Sequence, residues 1–159
     1  MIKKIISGAQ TGADLAGLMA AKRYGIETGG TMPKGFLTQA GPKPEWAKEY
    51  NLKESFSAKY PPRTRQNVAD SDATLRFAAD FNSAGERCTL NAIHELKKPY
   101  LDINIFKVPP VEQVIVWLEK YNVSVLNIAG NSERTFEGMT GEVLEYLCKL
   151  FEKIGFKEQ

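Results

Sequence analysis

The chain has 159 residues, 43% of them hydrophobic and 25% charged, with 21 Lys plus Arg against 19 Asp plus Glu. That length fits one domain with its own core, and the composition excludes long disorder. A net charge of +2 sets up no field that demands nucleic acid, and no apolar run approaches the roughly 18 residues of a membrane span. Met1 to Gln10 carry Lys3 and Lys4 but too short an apolar stretch for a signal peptide. With Cys88 and Cys148 as the only cysteines, the expectation is a reduced, cytoplasmic protein. The two thiols lie far apart and His94 stands alone, so no metal-ligand pattern is present.

Lys3 to Ser7 is short and β-branched and reads as a strand, which Gly8 to Gly12 breaks. Asp14 to Tyr24 is predicted as a helix, with Leu15, Leu18 and Met19 on one face and Gly25 as its stop. A second short strand is expected near Thr28–Thr31. Glycines and prolines then crowd the chain up to Pro62. The reading there is a long ordered loop with a turn of helix at Pro44–Glu49, or else a mobile surface insertion. Arg63 to Ser71 is expected as a short helix capped by Thr64. Ala73 to Ala78 reads as a strand and Ser83 to Gly85 as a second glycine loop. Glu86 to Lys97 reads as a helix burying Leu90, Ile93 and Leu96. Pro99 to Ile103 is another strand. Pro109 and Pro110 start a helix that carries Val111, Val114, Ile115 and Leu118 and ends at Asn122. Val123 to Ile128 is the clearest strand, followed by a third glycine loop at Ala129–Ser132. The last helix begins near Gly138 or Thr140 and runs to about Ile154, burying Val143, Leu144, Leu147 and Leu150 or Phe151.

This order is βα repeated, with no convincing hairpin. It predicts an α/β fold: a mainly parallel sheet of about five strands, with helices on both faces. A single domain spans residues 1–159, with a long functional loop around 31–62. In such sheets ligands sit beyond the C-terminal ends of the strands, which brings the three glycine loops to one edge.

Gly8 and Gly12 let the backbone turn tightly, Thr11 offers a hydroxyl, and N–H groups at the following helix start attract anions. The stretch matches neither a dinucleotide fingerprint nor a Walker loop. It reads as a phosphate-binding turn or as a simple helix-capping turn, with Asp14 favouring the helix dipole. Lys34 beside Gly35 can meet an anion or be an ordinary surface lysine. Arg63 to Asp72 packs two arginines, an amide, hydroxyls and acids into ten residues. Arg63 and Asn67 share a helix face, and Asp70 is placed to orient Arg63 or a ligand hydroxyl. The plainer alternative is a salt-bridged helix surface. Asp70 and Asp72 lack the spacing of a calcium loop. Gly130, Asn131 and Ser132 offer amides and a hydroxyl to a polar ligand. No nucleophile elbow is present, and Cys88 is a candidate nucleophile or a small core residue.

These stretches, taken together, resemble the molybdenum-cofactor carrier family, a Rossmann-like group related to the lysine-decarboxylase-like (LOG-like) superfamily. The family's Ser-Gly-Gly-Gln-Thr-Gly-Val-Asp opening is matched by Ser7 through Asp14. Its Cys-Pro-Lys-Gly turn is matched by Met32 through Gly35. Its Tyr-x-x-Arg-Thr-x-x-Asn-Val-x-Asp-Ser-Asp-x-Thr run is matched by Tyr60 through Thr74, and its last glycine loop by Val125 through Arg134. Ala9 replaces a glycine, Asn131 to Arg134 replace a proline-arginine version, and Ser83 to Thr89 stand where a Gly-Gly-Thr loop is usual. Glu86 there is bulky for a phosphate-binding turn.

The resemblance implies a Rossmann-like three-layer α/β/α fold. It implies a carrier, with no catalytic residues, that holds molybdenum cofactor (molybdopterin), an anionic pterin with a terminal phosphate. The implied binding residues are Gly8, Gln10, Thr11, Gly12 and Asp14; Lys34 and Gly35; Arg63, Thr64, Asn67 and Asp70; Gly85 and Thr89; and Gly130, Asn131 and Ser132. No protein ligand to metal is needed, because the cofactor brings its own dithiolene sulfurs. Implied partners are molybdoenzymes or cofactor-synthesis proteins, with the chain as a homo-oligomer and neither nucleic acid nor membrane involved. The alternative is a nucleotide-binding protein or a nucleoside monophosphate phosphoribohydrolase-like enzyme. Asp14, Asp70 and Glu86 are then candidate acids, although the glycine-rich motif with its acidic pair is missing.

Overall fold

A computed structural model describes residues 1–159. In chain order the elements are β1 (Lys4–Ile6), α1 (Ala13–Arg23), β2 (Glu27–Gly29), β3 (Thr31–Met32), β4 (Leu37–Thr38), β5 (Gly41–Pro42), α2 (Pro44–Tyr50), β6 (Lys53–Glu54), α3 (Tyr60–Ala69), β7 (Ala73–Ala78), α4 (Ala84–Leu96), β8 (Tyr100–Asn104), α5 (Val111–Lys120), β9 (Val125–Gly130) and α6 (Met139–Ile154). Helix ends follow local chemistry. Gly25 and Asn122 take left-handed backbone after α1 and α5, with φ of 66° and 50°. The N–H of Ile26 then returns to Ala21 O at 2.8 Å, and that of Val123 to Leu118 O at 3.0 Å, closing the orphan carbonyls of both helices.

The five long strands form one parallel sheet in the order β2-β1-β9-β7-β8. The last strand of the chain therefore sits at the centre. Numbered from β9 as first, with β1, β2, β7 and β8 following, the order reads 3-2-1-4-5, the doubly wound arrangement. Its reversal point lies between β9 and β7. No helix is long and apolar enough to cross a membrane.

Strand alternation gives the two sheet faces different chemistry. Ile5, Leu75, Phe77, Ile103, Leu126 and Ile128 are fully buried and pack with residues of α1, α5 and α6 in the main core. The opposite face, under α3 and α4, carries buried Thr74, Arg76 and Asn127. Parallel sheets are normally apolar on both sides, so this polar face needs partners. Arg76 has them: Nε and Nη2 donate to the two carboxylate oxygens of Asp102, each at 2.7 Å, and Nη1 donates to Glu86 O at 2.9 Å. Asn127 Nδ2 donates to Thr74 Oγ1 at 3.2 Å.

Four local expectations are corrected. Helix α3 starts at Tyr60 rather than Arg63, because Pro61 and Pro62 fit a first turn that needs no N–H. Thr64 is therefore inside the helix and buried, and the N-cap is Lys59, with no side-chain cap bond. Helix α4 starts at Ala84, since Ser83 is the N-cap and its Oγ accepts from Glu86 N at 3.4 Å. The stretch after Gly30 is not one irregular loop. It holds the parallel pair β3–β6, the helix α2 and a β4–β5 hairpin of two residues per strand, too short to show any period. These pieces close over a second cluster of Ala9, Leu18, Met32, Tyr50 and Leu52.

Candidate functional site

A cleft of about 330 Å³ opens at the C-terminal edge of the sheet, beside the reversal between β9 and β7. Five segments build it: the turn after β1, Gln39 of the β4–β5 turn, the helix α3, the start of α4, and the end of β9 with its following loop. Eleven of the residues named from sequence line it: Gly8, Gln10 and Asp14; Arg63, Thr64 and Asn67; Gly85 and Thr89; and Gly130, Asn131 and Ser132.

Five others lie outside the lining. Thr11 and Gly12 face the start of α6, where Gly12 N donates to Thr140 Oγ1 at 3.0 Å and Glu133 N donates to Thr11 Oγ1 at 3.3 Å. Lys34 and Gly35 are exposed, and Gly35 N donates to Glu54 Oε2 at 2.6 Å. Asp70 ends α3, exposed, and accepts from Gln66 Nε2 at 2.9 Å.

The first turn uses its own amides. Ala9 N donates to Ser7 Oγ at 3.1 Å, Gln10 N to Asp14 Oδ2 at 3.3 Å, and Ala13 N to Asn131 O at 3.1 Å. With Gly12 N on Thr140 Oγ1, Gly8 N and Thr11 N are the amides of that turn left without an acceptor. The start of α4 likewise has two open amides. Glu86 N and Arg87 N are satisfied by Ser83, but Ala84 N and Gly85 N have no acceptor in the chain. A Cβ at Gly85 would meet open space, so this helix start is accessible from the cleft.

Two asparagines serve as braces. Asn67 Oδ1 accepts from Thr31 N at 2.8 Å and its Nδ2 donates to Thr31 O at 3.0 Å, tying α3 to β3. Asn131 Oδ1 accepts from Ala79 N at 2.8 Å and Asp80 N at 3.0 Å, and its Nδ2 donates to Asp80 O at 3.0 Å. That joins the loops after β7 and β9.

The charged centre is Arg63 on Asp14, Nη1 to Oδ2 at 3.3 Å, with the Tyr60 ring 5.3 Å from the guanidinium carbon. Gly8 makes room for it: a Cβ there would lie 1.7 Å from Arg63 Nη1. Burial raises the Asp14 pKa, against the pull of the Arg63 charge. Glu86 is 3% exposed, and burial followed by the Asp14 charge pushes its pKa up to about 7, with Arg76 opposing at 3.9 Å.

Three buried side-chain polar atoms lack any partner: Gln10 Oε1, Arg63 Nε and Glu86 Oε1. All three belong to residues lining this cleft. Such atoms are few in native proteins and costly, and their coincidence beside one opening sets this cleft apart from the rest of the chain. No group of three or more His, Cys, Asp or Glu is placed to hold a metal ion.

Other lining residues carried weaker sequence signals: Gln39, Tyr60, Ser83, Glu86, Cys88 and Asn127. Asn127, a polar residue inside the clearest strand, was legible as an anomaly. Tyr60 lies one helical turn before Arg63, but only a correct start for α3 puts it there.

The profile described as the Circularly permutated YpsA SLOG family matches residues 5–151. A crystal structure described as that of a "Putative molybdenum carrier protein" from Syntrophus aciditrophicus SB is similar at 35% identity. It covers 94% of each chain, with a TM-score of 0.85. No curated protein matches the chain significantly. The permutation agrees with the sheet, in which the last strand occupies the position of the first. The chain belongs to the circularly permuted YpsA SLOG family.

Proposed function

We propose that this protein binds an anionic pterin phosphate of the molybdenum-cofactor class and acts as its carrier. The observation that carries the reading is the set of three unpartnered polar atoms around one cleft. Gln10 Oε1 calls for a donor, which pterin amino and ring N–H groups supply, and Arg63 Nε calls for an acceptor. The free amides of Ala84 and Gly85, with Arg63 lining the same cleft, form the anion end. Asn67, Asn131 and Asp14 keep the walls in place. The 31–62 segment brings Gln39 and Tyr60 over the opening as its cover. The similarity to a protein described as a molybdenum carrier supports this ligand class. On this reading, molybdoenzymes or cofactor-synthesis proteins receive the cargo from a homo-oligomer.

A second reading draws on Glu86. A carboxyl pushed to about 7, near Asp14 and an arginine, suits a general acid in cleavage of a nucleoside monophosphate to base and ribose phosphate. Native mass spectrometry of the purified protein, with titrations of molybdenum cofactor, molybdate and adenine nucleotides, separates the readings. A bound pterin mass, lost in Arg63→Ala that still melts cooperatively, is the expected result. Saturable nucleotide binding without pterin binding overturns the carrier reading, and release of ribose phosphate establishes the enzyme.

A further inference from the structure

The polar chamber behind the cleft does not balance its charges. Arg63 faces Asp14, and Arg76 faces both Asp102 and Glu86. Two guanidinium groups thus meet three carboxyls, a sum of −1 if all ionise. Asp102 takes Arg76 by two bonds at 2.7 Å and stays partly exposed, with a side chain 36% accessible. Asp14 holds Arg63 at 3.3 Å. Glu86 is the carboxyl left over: 3.9 Å from Arg76, without a hydrogen bond at Oε1, and almost entirely buried. Neutrality of the chamber requires a proton, and Glu86 is where the geometry leaves it least opposed.

The same residue sits in the first turn of α4, beside the open amides of Ala84 and Gly85, and it lines the cleft. An anion held at that helix start adds negative charge next to Glu86. We propose that Glu86 is the specificity-determining residue of the cleft: it takes a proton from solvent as an oxyanion enters and meets that oxyanion as a neutral acid. This inference rests on the proposed anion site. The proton moves from buffer to the Glu86 carboxylate, and no bond of the ligand changes. The charged groups facing Glu86 are Asp14 from α1, Arg76 from β7 and Asp102 from β8, with the Asn131 amide after β9 beside them. A ligand that offered only donors there would instead hold the carboxylate and release a proton. The sign of the proton count therefore reports which kind of group the cleft selects.

Glu86 titrates near pH 7 in the free protein, so uptake is small well below that value. It grows above it, because a bound anion raises the proton affinity further. Affinity for an anion then falls by up to about tenfold per pH unit above pH 7, one proton being linked to binding.

The test is calorimetric titration with sulfate, which stays fully ionised across the range, from pH 6 to 8.5 in buffers of different ionisation enthalpy. The wild-type protein is expected to take up close to one proton per sulfate at the alkaline end. Glu86→Gln is expected to bind with no uptake and a flat pH dependence, about thirtyfold more tightly than wild type at pH 8.5. Sulfate binding by the wild-type protein without uptake overturns this inference and leaves the anion site standing. So does an uptake that persists in Glu86→Gln. Absence of sulfate binding at any pH overturns the anion site itself.

Discussion

Gly8 occupies the space that keeps Arg63 on Asp14, and Gly8→Ala tests how much of the site depends on that pairing. The new methyl would lie 1.7 Å from Arg63 Nη1 and 3.0 Å from Asp14 Oδ2. The guanidinium is the end of a flexible side chain, so it yields and the backbone does not. The main cost is then electrostatic: Asp14, 5% exposed, loses its counter-ion. Breaking a buried pair by removing one partner costs about 3–5 kcal/mol. Arg63 is displaced rather than deleted, and its side chain is already 14% accessible, so about 1–3 kcal/mol is the expected loss at pH 7. Urea denaturation of four proteins measures it: wild type, Gly8→Ala, Asp14→Asn and the double variant. With the carboxylate gone, the methyl is expected to cost under about 1 kcal/mol, giving a coupling of at least about 1 kcal/mol. At acid pH, where Asp14 takes up a proton in the folded protein, the Gly8→Ala cost shrinks in the wild-type background as well. Equal costs in both backgrounds at pH 7 would refute the reasoning, since the methyl would then act by local packing alone.

Other expectations follow from the same network. Glu86→Gln changes how stability depends on pH: the folded pKa of Glu86 is raised from 4.5 to about 7, so the folded state binds the proton more tightly and wild type loses stability as pH rises through that window. The variant, lacking the ionisation, gains up to about 3 kcal/mol over wild type between pH 4 and pH 8 in urea denaturation, and parallel curves would contradict the burial of that charge. Asp102→Ala leaves Arg76, 1% exposed, with only Glu86 as counter-charge; a loss of about 3–5 kcal/mol is expected, together with a fall in the Glu86 pKa measurable by carboxyl NMR. Asn131→Ala removes the acceptor of Ala79 N and Asp80 N; it should cost about 3 kcal/mol and speed hydrogen exchange at those two amides before exchange rises elsewhere.

Much of the fold was readable because its signals are local. Short strand-forming runs around Ile5, Leu75 and Leu126, helical spacing along α4, α5 and α6, and stops at Gly25 and Asn122 depend on neighbours a few residues away. The same locality explains the failures. The two-residue strands β3 to β6 carry no period, and Pro61 and Pro62 read as loop residues until a first helical turn makes use of them. The binding segments were visible as glycine turns and as the cluster after Tyr60. Their roles within the site were not. Asp70 was read as the acid placed to orient Arg63, whereas the structure sets Arg63 on Asp14, 49 positions away in the chain.

The order of residues by itself determined an α/β chain, the identity of its core helices and strands, and the edge where its glycine turns gather. Only the tertiary structure decided that β9 enters the centre of the sheet, which makes the fold a permuted doubly wound one and places the reversal point beside α4. Only it decided that Gly12 N serves α6 while Ala84 N and Gly85 N stay free, and that three carboxyls share two guanidinium groups. The physical reason is range. Propensity and capping act within one or two turns of chain, whereas charge balance and the satisfaction of buried polar groups are properties of everything packed around an atom.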